Sequence, residues 1–175
     1  MGAAHPQVVD TNVPIATNNR SGNVSAKCQR ACIRALRQLM DDGQIALDDE
    51  WRILTEYGRN LRQAGQPGPG DAFYKWLLTN RCNPSRCRLV KISPKPGTED
   101  DFEEFPEHEG LADFDPSDRK FVAVAAALGP HAPILQALDS KWWGWRKPLK
   151  ECGITVRFLC EADIRALSEG RARRG

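Results

Sequence analysis

No stretch of this 175-residue sequence is apolar for long enough to span a bilayer. The opening Met1-Gly2-Ala3-Ala4-His5-Pro6 lacks the charged and apolar regions of a secretion signal. Pro6 also stands where a myristoylation motif requires Ser or Thr. A cytoplasmic protein without membrane attachment is therefore expected. No Gly-x-Gly-x-x-Gly turn follows Asp10 at the first strand, which excludes a Rossmann dinucleotide site there. Histidine is scarce: His5, His108 and His131 share no spacing, and none is assigned to catalysis. Neither sign of charge dominates, the formal balance being +2. Its distribution is uneven, with Arg and Lys crowding 81–95, 141–150 and 165–174 and acid crowding 99–109. That permits an anionic partner without requiring one. A hydrophobic content of 41% and a charged content of 27% are ordinary for a globular chain, and the length suits one domain. The domain is placed at 1–168, with 169–175 as a basic, disordered tail.

Six cysteines are present, and their positions argue against a disulfide framework. Cys28 and Cys32 lie four apart on an expected helix, and Cys160 ends an apolar strand; buried thiols acting as small hydrophobes account for all three. Cys82 and Cys87 bracket an Asn-Pro-Ser turn, and Cys152 precedes Gly153. Zinc sites take four ligands, usually in close pairs, and no second pair with suitable spacing follows. Reduced structural thiols are the expectation.

Strand and helix patterns alternate along the chain, which argues for an α/β domain with a mostly parallel sheet covered on both faces. Strands are expected at 7–10, 44–47, 88–92, 133–138 and 154–159. Ser25 can cap a helix over 26–40, with Cys28, Cys32, Leu36 and Leu39 at helical spacing and Gly43 beyond its end. Further helices are expected near 49–63, over 71–80 and from Glu161. Residues 93–113 hold Pro, Gly and acid without periodicity, and so long a loop is often functional or mobile. The helix that follows has Asp115 as N-cap, Pro116 at its first position, and Gly129-Pro130 as its stop.

Four acids stand out: Asp10, Glu56, Asp118 and Asp139. Asp10 and Asp139 close strands that should run parallel, and Asp118 lies in the first turn of the helix leading into the second of them. All three should face the same end of the sheet, where open α/β sheets bind ligands. Taken singly, a turn, a solvated helix face or a capping role explains each acid. Together they would raise one another's pKa values, a conflict that a hard divalent cation such as Mg²⁺ or Mn²⁺ removes.

Val8-Val9-Asp10-Thr11-Asn12 resembles the opening of PIN-domain ribonucleases. Ile53-Leu54-Thr55-Glu56-Tyr57 resembles that family's second acidic position, and Phe114 to Ala125, containing Asp118, its third. Pro133 to Asp139 followed by Trp142 resembles the fourth; the likeness covers roughly 7–160. It implies a three-layer α/β/α sandwich with four to five strands and a metal-dependent endoribonuclease of the toxin-like kind. Asp10, Glu56, Asp118 and Asp139 would then hold one or two Mg²⁺ or Mn²⁺ ions. A bound water of lowered pKa would attack the RNA phosphodiester. Asn12 can orient Asp10, and Asp115 could serve as a fifth carboxylate, though it suits a cap better. The sequence departs from the family at Ala137, where Thr or Ser is frequent; that hydroxyl is missing or supplied by Ser140. An antitoxin protein and a homodimer are the further partners implied.

Trp142, Trp143 and Trp145 interleave with Lys141, Arg146 and Lys147, a pattern suited to stacking on single-stranded RNA. Core anchoring explains the rings as well, so at least one should be buried and at least one partly exposed. Arg119 and Lys120 flank Asp118 and could neutralise phosphates, or be solvated helix positions. Arg81, Arg86, Arg88 and Lys91 read as a surface patch. Two other activities place an Asp after the first strand. A haloacid-dehalogenase-like phosphatase needs a second Asp two residues on, where this chain has Asn12, and a response-regulator receiver needs an Asp on the third strand, which here ends at Ile92-Ser93. A PIN-like module that binds RNA or protein without cutting is the alternative of a different class, although repelling carboxylates serve it no purpose.

Overall fold

The computed structural model describes residues 5–173. The first strand, β1 (Val8–Val9), is wholly buried and leads through Asp10 into helix α1 (Asn12–Asn18). No helix is expected from the sequence between the strand at 7–10 and the helix at 26–40. The carbonyl of Asp10 accepts from Val13 N at 3.0 Å, which starts the helix at once. Pro14 is tolerated in the first turn, where the N–H it lacks has no intrahelical acceptor. Asn19 ends α1 in the left-handed region (φ 43°), a conformation Asn adopts more readily than most residues. Its side-chain amide then bonds both backbone groups of Val24.

Helix α2 (Ala26–Asp42) is capped by Ser25, whose hydroxyl accepts from Cys28 N at 3.1 Å. Cys28, Cys32, Leu36 and Leu39 form the buried stripe that the periodicity predicted. Strand β2 (Ile45–Asp48) is buried throughout. The carboxylate of Asp48 accepts from Arg52 N and Ile53 N, both at 2.8 Å, and so opens α3 (Arg52–Asn60). Helix α4 (Pro69–Asn80) takes Pro69 in its first turn and crosses α1 at Gly70. A Cβ at Gly70 would stand 2.1 Å from the Pro14 carbonyl oxygen, so only glycine permits the crossing.

Strand β3 (Cys87–Val90) pairs parallel with β2. Residues 93–113 are mostly irregular, with a 3-10 turn at Glu109–Leu111, but they are not a free flap: Phe102, Phe105 and Leu111 are buried in the core. A second 3-10 turn, Pro116–Asp118, leads into α5 (Arg119–Leu128). Then come β4 (Ile134–Gln136), α6 (Ser140–Glu151), β5 (Val156–Phe158) and α7 (Glu161–Ala172). Because α7 runs to Ala172, the tail expected to be disordered from 169 is helical over most of its length. Arg174 and Gly175 lie outside the described residues, as do Met1–Ala4.

The strands form a three-stranded parallel sheet, order β1-β4-β5, and a parallel pair, β2-β3. A parallel bridge between Gln7 and Ile45 joins the two, with Ala46 N donating to Gln7 O at 2.9 Å. Helices flank the sheet: α1, α2 and α4 pack on one another, and α5 packs on β1, β2, β3 and β4. Among the described residues no helix is long and apolar enough to cross a membrane.

One expectation is overturned by the packing. Cys28 and Cys160 form a disulfide across a sequence separation of 132, with Cα atoms 5.0 Å apart. The reading as reduced thiols failed because the start of α7 returns the chain to the first turn of α2, a proximity no local pattern reveals.

Candidate functional site

Asp10 follows β1, and its amide donates to Leu135 O at 3.0 Å, extending the β1–β4 ladder by one rung. Val9 pairs with Leu135, so the carboxyl ends of both strands lie side by side, with Asp139 three residues beyond β4. Asp118 stands at the N-terminal end of α5, without a capping hydrogen bond from its side chain, and α5 packs on both strands. Glu56 comes from α3, and its neighbour Tyr57 fixes that helix by donating its hydroxyl to the carbonyl of Val9. Three of the four acids therefore gather as the strand order implied, and a tyrosine anchors the fourth.

The electrostatics record this gathering. Asp10 is 2% exposed. Burial pushes its pKa up to about 8, with added repulsion from Asp118, Glu56 and Asp139, against a lowering hydrogen bond from Asn12. Asp118 is pushed up to about 6, first by burial and then by Asp115, Asp139 and Glu56, against the hydrogen bond from Trp142. The acids repel without touching: among the described residues no three carboxylates have oxygens all within 4.8 Å of one another.

Three of the four acids are each held by one oxygen. Asp10 Oδ1 accepts from Asn12 N at 2.8 Å, so Asn12 does orient Asp10, but through its backbone. Asp118 Oδ2 accepts from Trp142 Nε1 at 3.1 Å, and Asp139 Oδ1 accepts from Lys141 N at 2.9 Å as the cap of α6. Among the described residues no hydrogen bond reaches the second oxygen of Asp10, Asp118 or Asp139. Glu56 differs, because the Thr11 hydroxyl donates to Oε1 and Lys120 Nζ lies 2.5 Å from Oε2. One carboxylate of the four thus has a built-in counter-ion.

Several expected substrate contacts are otherwise engaged. Trp142 is fully buried and packs edge-on against Phe114, so it cannot stack on a base. Its helical position turns it inward to Asp118, a role its spacing from Asp139 could have suggested. Arg119 pairs with Asp101 at 2.8 Å and lies over the Phe105 ring, clamping the 93–113 segment instead of facing solvent. Lys120 turns to Glu56 and to the Ser117 carbonyl. Lys141 is exposed and pairs with Asp115 at 3.2 Å. Asp115 caps the turn as expected, accepting from Ser117 N; the Ser117 hydroxyl first, and then Lys141, hold its pKa below the ordinary range in spite of burial. Ser140 opens α6, and its hydroxyl makes no hydrogen bond among the described residues. Trp145 is half-buried against Phe114. Trp143 is half-buried against Phe158, with the Arg146 guanidinium 4.1 Å and the Arg165 guanidinium 5.3 Å from its ring.

No known family model, curated protein or solved structure matches this chain. The likeness to PIN-domain ribonucleases therefore stands on the four acidic motifs alone. What the site offers chemically is an oxygen-only donor set at the carboxyl ends of β1 and β4, with three carboxylate oxygens that accept no hydrogen bond among the described residues and one lysine paired to Glu56. A cavity of about 560 Å³ between α2 and α7 contains none of these acids.

Proposed function

We propose that the protein is a Mg²⁺- or Mn²⁺-dependent endoribonuclease of PIN-like architecture. On this reading the two sheets count as one five-stranded parallel sheet, ordered β3-β2-β1-β4-β5 through the Gln7–Ile45 bridge. The order then reverses between β1 and β4, and ligands of open α/β sheets bind at such a reversal. Asp10 and Asp139 stand at that point.

The observation that carries the proposal is Asp10. A carboxyl so buried, with one hydrogen bond and three acidic neighbours, is unfavourable when ionised unless a cation joins it. The donor chemistry fits a hard divalent ion, because the free groups are all carboxylate oxygens. Asp10, Asp118 and Asp139 would hold it, in part through water, since no three carboxylate oxygens among the described residues lie within 4.8 Å of one another. When bound, the ion supplies a water of lowered pKa and neutralises charge on the phosphate. The chain itself supplies orientation: Asn12 N–H, Trp142 N–H and Lys141 N–H each fix one oxygen and leave the other directed by default. Glu56 is neutralised by the buried Lys120, which leaves the other three acids to the ion. RNA as the substrate rests on the family likeness alone.

The test is cleavage of single-stranded RNA with Mn²⁺, using Asp10→Asn and Asp118→Asn as controls. Wild type should cut, and each variant should lose at least about 100-fold, the scale of disturbing a metal site. Cleavage surviving both substitutions would show a contaminant. No cleavage with any divalent metal would favour a PIN-like binding module.

A further inference from the structure

The disulfide leaves one sulfur unexplained. Cys32 lies one helical turn after Cys28, fully buried, and its Sγ is 3.7 Å from Cys160 Sγ. All three sulfur atoms lie within 4.8 Å of one another. Only two are needed for the cross-link, and the third is neither remote nor exposed.

We propose that Cys28, Cys32 and Cys160 form a thiolate site for a soft or borderline divalent cation of the zinc type, in exchange with the Cys28–Cys160 disulfide. In a tetrahedral site with Zn–S bonds of about 2.3 Å, neighbouring sulfurs stand about 3.8 Å apart. The Cys32–Cys160 spacing already has that value. Reduction by a dithiol transfers two electrons and two protons, releasing Cys28–SH and Cys160–SH while the dithiol becomes a disulfide. Binding of M²⁺ by the three thiols then expels three protons and leaves a site of net charge −1. The 560 Å³ cavity opens on Cys28 and Cys160, giving the metal entry and leaving its fourth position to water. Lys27, Arg34 and Arg165 line that cavity together with Glu161 and Asp163, so its walls carry a small excess of positive charge against the site, with Arg165 paired to Glu161. Burial pushes the Cys32 thiol up to about 12, so it stays protonated near neutral pH until a cation makes the thiolate favourable. The site is a different class from the carboxylate crevice: sulfur ligands select softer metals than oxygen ligands do.

The test is Co²⁺ titration of full-length protein, before and after treatment with a dithiol that is then removed under anaerobic conditions. The reduced protein should take up cobalt with sulfur-to-metal charge-transfer absorption and tetrahedral d–d bands, displaced by Zn²⁺; the oxidised protein should show neither. Cobalt on carboxylates gives no sulfur band, so failure of the ribonuclease reading leaves this result unaffected. Cys32→Ser keeps the disulfide pair and should weaken the cobalt signal at least about 100-fold, whereas Cys152→Ser should leave it unchanged. Zn²⁺ should also slow alkylation of Cys28, Cys32 and Cys160 in reduced wild type but not of exposed Cys82, a readout that needs no variant. Reduced protein without a charge-transfer band, equal binding by Cys32→Ser, or alkylation indifferent to Zn²⁺ would overturn the site.

Discussion

Replacing Asp10 with Asn should make the metal-free protein more stable and remove most of its response to pH above neutrality. The folded-state pKa of about 8 lies above the ordinary carboxylate value of about 4. The folded protein therefore holds a proton that the unfolded chain has released. Stability from this group is full below about pH 4 and is lost as pH rises to about 8. At about 1.4 kcal/mol per pH unit, wild type should lose roughly 2–2.5 kcal/mol between pH 6 and 8 through Asp10. Asp118, with its folded value near 6, adds only a few tenths over that interval, having lost most of its share between pH 4 and 6. For a chain of this size the loss corresponds to about 5–10 °C in Tm. Thermal unfolding in chelator at pH 6, 7 and 8 measures it directly. Asp10→Asn should show a nearly flat Tm over the same range and a higher Tm than wild type at pH 8. Adding Mn²⁺ should raise the wild-type Tm, more at pH 8 than at pH 6, because Asp10 must release its proton to bind the ion. The variant should lose that stabilisation. Equal pH slopes for the two proteins in chelator would refute the reasoning.

Three further outcomes are expected. Lys120→Met leaves Glu56 facing only Thr11, so the metal-free protein should lose about 1–3 kcal/mol by chemical denaturation, while calorimetry should show tighter Mn²⁺ binding at the more negative crevice. Trp142→Phe keeps most of the buried ring but deletes the N–H to Asp118; it should cost about 1–3 kcal/mol and weaken Mn²⁺ binding about 10–100-fold as the carboxylate loses its orientation. Cys28→Ala opens a loop spanning 132 residues, and on the chain-entropy account the metal-free protein should lose about 4–5 kcal/mol, read as a lower denaturation midpoint than oxidised wild type.

The parts of the fold that sequence revealed are those governed by local rules. Ser25 caps α2, Asp115 caps the turn before α5, and the Cys28–Leu39 stripe is buried, because capping and helical period act within a few residues. The strand ends that bring Asp10 and Asp139 together were also legible, since parallel strands leave one choice of edge. Helix α1 was missed because Asp10-Thr11-Asn12 reads as a turn, and a turn is also how a helix begins. Long-range contacts were invisible: Cys160 against Cys28, Tyr57 to Val9, and Lys120 to Glu56. Lys120 is the instructive case. It follows Asp118 by two residues, so the helix turns it away from that carboxylate, and α3 sets the partner it meets.

Comparing buried acids within this one chain separates structure from chemistry. Asp48 and Asp71 are as deeply buried as Asp10. Asp48 receives Ile53 N on one oxygen and Arg52 N on the other. Asp71 receives Arg62 N on Oδ1 and Gly68 N on Oδ2, with Asn18 and Arg20 added. Burial alone would raise the pKa of Asp71, but these donors bring it below the ordinary range. Both residues hold helix starts, and the fold supplies N–H groups to both of their oxygens. Asp10 receives one N–H on one oxygen, and Asp118, Glu56 and Asp139 repel its charge. The chain can satisfy a buried carboxylate and does so twice, so the incomplete shell at Asp10 is no general weakness of its packing. A buried acid with a single donor, repelled by three other acids at the ends of β1 and β4, is the arrangement on which the proposed cation site rests.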